Sequence, residues 1–351
     1  MAPSALTLNY DAVLSTTLFN WSKTIQDQIS TANALLFYLM KKKQGGYQTL
    51  SYIGDRMAMP LMYALGQADS YSGYDVLQTD PMEGITTAFY DWRQSSVPIA
   101  ISGLEEKKNQ GEEQIVALLD AKTKQAMAGI KEFVGKRLLL GAGSSSITSA
   151  YTSSVNGSSF IDPLPLLVKY DPTTSTVVGN INQLSNSWWR NQTKNSTGST
   201  FAAVLKELEN LRNACGKGVG GSPDLHVADQ STYEFYCAAL RSFHQNPSYA
   251  DADIPFDNVA FHKKPVTWDE WVPDVQGGSE TQSTTSGTWW MLNTDYWGMK
   301  VHSGTNFSTT PFQKPENQDA KVATILWLGA AGVSNRRKQG VAGGIDTTIT
   351  S

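Results

Sequence analysis

Apolar and polar residues alternate along "ITTAFYDWRQSSVPIAI" (85–101), and then the period changes. In a strand, side chains alternate across the sheet, so Val97, Ile99 and Ile101 share one face. Pro98 cannot donate a sheet hydrogen bond, which predicts an edge or a partly irregular strand. From Ser102 onward the period lengthens. Ile115, Leu118, Leu119, Ala126, Ile130, Phe133, Val134 and Leu138 recur every three or four residues, the spacing of an amphipathic helix. Ser102 followed by Glu105 fits a capping box. Acids in "EEKK" and "GEEQ" and bases in "GKR" suit the two ends of the helix dipole. About 28 residues of helix rise roughly 42 Å. Gly111 and Gly129 weaken that rod and are candidate bends. The pattern thus predicts a long strand running straight into a long helix.

The strand needs a partner. Texture from Tyr47 is β-like, with "YQTLSYIG" and "SYSGYDVLQT" alternating imperfectly and "TDPMEG" (79–84) as a turn. Roughly fifteen strand residues span about 50 Å, comparable with a whole domain. A hairpin of that length projects beyond its own core, and an isolated hairpin is marginal in water. This one carries Tyr71, Tyr74, Val76, Leu77, Met82, Phe89, Tyr90 and Trp92. Uncovered, such an arm is an aggregation hazard. The residues alone leave two solutions open: another molecule covers the hairpin, or it folds back onto its own body.

Elsewhere the pattern gives a mixed α/β chain. Residues 1–43 read as a short amphipathic helical arm on Asp27, Ile29, Leu35, Leu36 and Leu39, in need of a covering surface. "PLPLLVKY" (163–170) reads as a buried strand and Phe201–Ala214 as a helix on Phe201, Val204, Leu205, Leu208 and Leu211. "PDLHVAD" (223–229) reads as a buried strand, and residues 231–243 as a helix capped by Ser231. Strands follow through 263–271 and 288–302, around a flexible tip at 276–287. Residues 319–345 are strand-rich, with a basic turn "NRRK" (335–338).

Composition describes an ordinary globular protein: 351 residues, 40% hydrophobic and 17% charged, with net charge −4. That charge supplies no overall positive field toward nucleic acid or membrane. No apolar run is long enough to span a bilayer, and no secretory leader is evident. Cys215 and Cys237 form no paired motif, so free thiols in a reducing compartment are expected. Ten tryptophans, with doublets at Trp188-Trp189 and Trp289-Trp290, suit a core or interface better than sugar platforms.

Chemistry is sparse. "GKGVGG" (216–221) follows a helix and precedes a strand, the reverse of a dinucleotide-binding turn, and reads as a glycine-rich helix exit. His226, His244, His262 and His302 are scattered without metal-ligand spacing. "NRRK" offers sequence-blind phosphate contacts. No catalytic, cofactor or metal site is expected, and the chain is not read as an enzyme.

Several stretches taken together resemble a known family. "SYSGYDVLQTDPMEGITTAFYDWRQSSVPIAISGLEE" before a long helix is similar to the extended loop (E-loop) and spine helix of tailed-bacteriophage major capsid proteins. "VVGNINQLSNSWWRNQ", "PDLHVADQSTYEFY", "PFDNVAFHKKPVTWD", "MLNTDYWGMKVH" and "NQDAKVATILWLGAAGVSNRRKQG" resemble further blocks in order, covering about residues 10–345. The resemblance implies an α+β fold: an N-terminal arm (1–46), an E-loop hairpin (47–101), a peripheral domain with the spine helix (102–195), an axial domain (196–303), and a return to the peripheral domain (304–351). It implies subunits that form pentamers and hexamers, closing as an icosahedral shell around double-stranded DNA contacted non-specifically. Tyr71, Tyr74, Met82, Phe89, Tyr90 and Trp92 become the candidate inter-subunit contacts. A separate scaffolding protein, a portal and a candidate decoration protein are the further partners, with no cofactor and no membrane. The location implied is the virion, after assembly in the host bacterial cytoplasm. Two rival readings are a carbohydrate-binding or tail-associated phage protein using the tryptophans, and a hydrolase with a carboxylate-lined cleft.

Overall fold

The computed structural model describes residues 33–42, 46–66, 68–76, 83–108, 118–141, 160–242, 259–272, 286–316 and 318–349. Two sheets organise them. The first has the order β1 (Tyr47–Leu50), β12 (Trp297–His302), β14 (Ala320–Val333), β13 (Ser308–Thr309), with β4 (Arg93–Ser102) on the other side of β14. Strand β14 pairs along the whole of β4, from Ala320–Ser102 to Gly329–Arg93. Among the described residues β4 pairs with no other strand, so it is an edge there, one of the two outcomes Pro98 allows. Ile99 and Ile101 are buried, while Pro98 and Ala100 face out.

The second sheet has the order β7 (Gln192–Asn195), β15 (Gly340–Asp346), β11 (Ser286–Leu292), β8 (Leu225–Ala228), β10 (Lys264–Trp268), β9 (Val259–Phe261). Both its faces are covered, so its central strands are apolar throughout rather than alternating. Along β11, Trp289 and Met291 join one core with helices α5 (Phe201–Gly216) and α6 (Gln230–Ser242). Trp290 and Leu292 join the larger core, shared with the first sheet. The tryptophan doublet is therefore a two-sided wedge, fully enclosed. This sheet also recruits β7 and β15 from outside the expected 196–303 unit, whereas β12, inside that range, belongs to the first sheet.

The strand-to-helix junction forms as the sequence predicts. The Ser102 amide donates to Glu105 Oε2 and the Glu105 amide to Ser102 Oγ, each at 3.2 Å, closing the capping box that starts α2 (Gly103–Lys108). The spine resumes as α3 (Leu118–Leu140), which buries Ala126, Ile130, Val134 and Leu138; Phe133, expected in that stripe, is instead 37% exposed. Gly111 and Ile115 lie outside the described residues.

Other expectations need correction. "SYSGYDVLQT" is not a strand in its described part, residues 70–76; a turn occupies Gly73-Tyr74. Residues 163–170 contain a buried helical turn, α4 (Leu164–Leu167), because Pro165 is preset for a first helical turn. Helix α6 is capped by Asp229 rather than Ser231: the Thr232 amide donates to Asp229 Oδ2 at 3.0 Å. The described end of the N-terminal arm, α1 (Ala34–Lys41), buries Leu35, Leu36 and Leu39 against its own chain. Lys42 then locks it, pairing with Asp224 at 2.5 Å and Asp295 at 3.0 Å. Asp27 and Ile29 lie outside the described residues.

The basic turn also faces inward. Arg336 is 1% exposed, and its guanidinium donates to Leu167 O, Gln183 Oε1, Trp189 O and Asn191 Oδ1 at 2.9–3.0 Å. Lys338 Nζ is ringed by the carbonyls of Lys217, Gly218 and Gly221 at 3.0–3.3 Å. That use explains "GKGVGG": Gly218, Gly220 and Gly221 all have positive φ, which turns the helix exit into a carbonyl cradle. Neither Arg336 nor Lys338 is available to a phosphate; Arg337 alone of the three bases is exposed.

Candidate subunit interface

The long strand read from the sequence is two strands. β3 (Ile85–Asp91) pairs antiparallel with β2 (Arg56–Met62) as a separate two-stranded ribbon, and β4 belongs to the first sheet. Only Trp92 lies between them. Its indole N–H donates to Gly54 O at 3.0 Å, bracing the junction.

Register decides which ribbon residues are covered, because directly opposed residues share a face. The pairs Met57–Tyr90, Met59–Ala88 and Leu61–Thr86 form the inner face. Met57, Leu61, Ala88 and Tyr90 are buried there in their own chain. Tyr90 is completely enclosed, and its hydroxyl donates to Val333 O at 2.8 Å. It sits in a slot that exists because Gly332 and Gly179 lack side chains: a Cβ on either would come within about 3 Å of the ring. Burial pushes its phenol well above the ordinary range. Tyr90 is thus a core residue and cannot serve as an inter-subunit contact. Trp92 is half-buried against the same core.

The opposite face is left uncovered by the described residues. Ala58–Phe89, Pro60–Thr87 and Met62–Ile85 point away from the body, with Phe89 37%, Met62 72% and Ile85 76% exposed. Beyond the ribbon, Tyr63 turns back and stacks on Trp188, ring centroids 4.8 Å apart and 19° from parallel. Leu65, Tyr71, Tyr74 and Val76 then stand in solvent. Tyr74 is not on a loose thread. The Asp75 amide donates to Ser72 O at 3.0 Å, and Asp75 Oδ2 accepts from the Ser72 amide at 2.9 Å. Gly73 supplies the positive φ at that turn. Met82 lies outside the described residues.

Met62, Leu65, Tyr71, Tyr74, Val76 and Ile85 therefore make one apolar stretch with no cover from the described residues. Each large apolar side chain is worth about 1.5–3 kcal/mol when buried, so covering them gives on the order of 10 kcal/mol before the cost of association. Sequence reasoning named Tyr71, Tyr74 and Val76 but missed Met62, Leu65 and Ile85. The alternating "RMAMPLM" (56–62) carried the signal for the partner strand.

The rival chemistries find little support. Trp189, Trp289 and Trp290 are buried and Trp188 is stacked on Tyr63, which leaves no paired tryptophan platform for a sugar. A cleft of about 250 Å³ beneath the ribbon is lined by Gln48, Met59, Pro60, Asp295, Trp297 and Lys300 among others. Its one acid, Asp295, pairs with Lys42, so no carboxylate pair is present there. His226 is enclosed by Phe261 and Trp289, and burial lowers it to about 3. No group of metal-ligating side chains occurs among the described residues, and no helix among them is long and apolar enough to cross a membrane.

No protein-family model and no curated protein sequence matches the chain. Solved structures do match, over nearly the whole length. A capsid asymmetric unit of cyanophage A-1(L) is similar at TM-score 0.60 and 12% identity, covering 96% of this chain and 98% of that one. The capsid of a native GTA particle is similar at TM-score 0.63 and 10% identity, covering 98% and 100%. An encapsulin, the holo-SrpI complex of Synechococcus elongatus PCC 7942, is similar at TM-score 0.57 and 9% identity, covering 97% and 96%. At these identities the likeness establishes the fold: the α+β architecture is one shared with these capsid and encapsulin subunits.

Proposed function

We propose that this chain is a structural major capsid protein, not an enzyme, that assembles with itself into the head of a tailed phage. The observation that carries the reading is that Met62, Leu65, Tyr71, Tyr74, Val76 and Ile85 are left uncovered by the described residues, on a chain with a shell-subunit fold. In this reading copies form pentamers and hexamers, and the stretch lies over the next subunit. Many modest contacts on a closed surface then act together, so none has to be tight alone. Tyr71, Tyr74, Phe89 and Trp92 remain contact candidates, as does Met82; Met62, Leu65 and Ile85 join them. The arm (1–46) reaches a neighbour, the sheet of β4 and β14 with the spine forms the peripheral domain, and the six-stranded sheet with α5 and α6 forms the axial domain. Packaged double-stranded DNA is touched without sequence preference, and a scaffolding protein, a portal and a decoration protein are the further partners. The shell assembles in the host cytoplasm and ends in the virion.

Electron microscopy of the purified full-length protein tests this. Shells, tubes or hexamers are expected, and a monomer at every concentration and ionic condition overturns it. Doubly substituted Tyr71→Ser, Tyr74→Ser protein is expected to assemble poorly while unfolding at the same urea concentration. The encapsulin likeness makes the contents informative as well. Nuclease-resistant DNA inside particles from phage-infected cells fits a head, whereas particles enclosing only protein fit a compartment instead.

A further inference from the structure

The free edge of β4 can be read residue by residue. On β14, Thr324 and Val322 turn their backbone groups toward the chain that follows β13. The Thr310 amide donates to Thr324 O and the Thr324 amide to Thr310 Oγ1, each at 2.9 Å, and Val322 exchanges hydrogen bonds with Gln313 at 2.8 and 2.9 Å. Pro98 stands opposite Thr324, and Ala100 opposite Val322. These pairs are therefore not hydrogen-bonded across the ladder. By alternation, Gln94, Ser96, Pro98, Ala100 and Ser102 turn their backbone groups away from β14, toward the free edge.

One half of that edge is closed. The Ser102 amide donates to Glu105 Oε2 at 3.2 Å, and Lys122 Nζ, itself 2.9 Å from Glu105 Oε2, donates to Ala100 O at 3.2 Å. Pro98 has no N–H to offer. The other half is open. Gln94 and Ser96 are exposed, and their outward N–H and C=O groups meet no partner among the described residues. An open strand edge is a template for another strand, and here only Gln94 and Ser96 are left to serve as one.

We propose that this window joins the same window of a second copy, antiparallel, about a two-fold axis through Ser95. Gln94 exchanges its N–H and C=O with Ser96 of the second copy, and Ser96 does the same with Gln94 of the second copy. The next outward pair sets Pro98 against Trp92 of the second copy, where the proline offers no N–H and the ladder stops. The match closes on itself, as a two-fold contact must: what ends the ladder on one side of the axis ends it on the other. A longer foreign strand runs into Pro98 and then into groups already taken by Lys122 and Glu105. Gln94, Ser95 and Ser96 are neutral, so the two windows meet without opposing charges. So short a contact buries far less than the roughly 1,200 Å² that holds two free chains together. The pairing therefore rests on the self-assembly proposed above, and adds to it a two-fold link between the sheets of two subunits.

Cross-linking tests it. On the axis, Ser95 faces Ser95 of the second copy at a non-hydrogen-bonded position, where Cα atoms lie about 4.5 Å apart, within disulfide range. Full-length Ser95→Cys protein, assembled into particles and treated with a mild oxidant, is expected to run mostly as a covalent dimer on a non-reducing gel. Wild-type particles, whose cysteines are Cys215 and Cys237, are expected to stay monomeric on the gel. So are Val97→Cys particles, because Val97 opposes Arg93 of the second copy. Should Ser95→Cys not assemble, particles mixed from Gln94→Cys and Ser96→Cys chains are expected to link, and particles of either alone are not. Intact particles whose Ser95→Cys or mixed chains link no more than Val97→Cys overturn the pairing and leave self-assembly standing. Wild type that forms no particles under any condition overturns both.

Discussion

Arg336 offers the most direct test of how this fold holds together. It is a buried cation with no carboxylate among its four hydrogen-bond acceptors, all of which are carbonyl or amide oxygens. Those acceptors come from α4, the β6 turn (β6, Ile181–Asn182), the 3-10 turn at Ser187–Trp189 and the segment entering β7. One side chain thus clamps four pieces of backbone. Burial lowers the guanidinium to about 10, which holds roughly 3 kcal/mol against the charged form. Arg336→Met removes that penalty but strands Leu167 O, Trp189 O and Gln183 Oε1, at about 1–3 kcal/mol each. Asn191 Oδ1 keeps the Lys169 amide. The net loss expected is about 3 kcal/mol. Arg336→Lys separates charge from geometry. It keeps the buried cation and its penalty but cannot span four acceptors arranged for a planar fork, so a loss of about 3–5 kcal/mol is expected. Urea unfolding followed by tryptophan fluorescence, at one protein concentration, measures both. A lysine variant within about 1 kcal/mol of wild type refutes the reasoning, because charge alone then suffices.

Three further outcomes are expected. Tyr90→Phe leaves Val333 O without its donor and costs about 1–2 kcal/mol in urea unfolding; a variant of unchanged stability that fails to assemble contradicts its placement in the core. Asp269 is 3% exposed, and burial raises its carboxyl to about 6, while the Trp271, Leu35 and Ala34 amides pull the other way. Since the folded value lies above the unfolded one near 4, stability is full below about pH 4 and falls until about pH 6, by roughly 3 kcal/mol. Asp269→Asn should remove that slope, and an unchanged pH profile of unfolding counts against it. At Gly129 a methyl group meets nothing within 4 Å, so Gly129→Ala should stabilise α3 by about 0.5–1 kcal/mol. If the shell expands by bending this helix, the variant assembles normally and expands slowly; unaltered expansion rejects the bend at Gly129.

Local signals were read well where one physical rule governed them. The capping box at Ser102 and Glu105 needs only two residues at the right spacing, and both its hydrogen bonds are present. Pro98 called for an edge or an irregular strand, and β4 is an edge among the described residues. Helix α5 followed from its apolar stripe, with Thr200 accepting from the Ala203 amide to cap it. Failures came where a neighbour distant in sequence decides. "PLPLLVKY" is as apolar as a strand, but Pro165 fits a helical turn, and the Arg336 guanidinium binds its Leu167 carbonyl from the far end of the chain. "NRRK" looks solvated by composition; the acceptors that bury Arg336 and Lys338 are contributed by residues 167–221. No period in the sequence reports such partners.

The same limit explains why the hairpin could be recognised but not divided. Tyr74 and Tyr90 are the same side chain on the same excursion, yet one is fully exposed and the other fully enclosed. Alternation fixes which residues share a face, and it put Tyr90 in phase with Thr86 and Ala88, with neither solvent nor core named. What names the core is the pair of glycines at 179 and 332, whose missing Cβ atoms leave a ring-sized slot, and the Val333 carbonyl at its end. Up to that slot the ribbon is held by its own chain; past Leu61 the Tyr63 ring still stacks on Trp188, and beyond it Leu65, Tyr71, Tyr74 and Val76 are exposed. A ribbon anchored so firmly at its base cannot fold its tip back over the outer face of its own strands without reversing direction. The described residues offer Met62, Ile85 and Tyr74 no cover, and in the capsid reading proposed above a second copy of the chain supplies it.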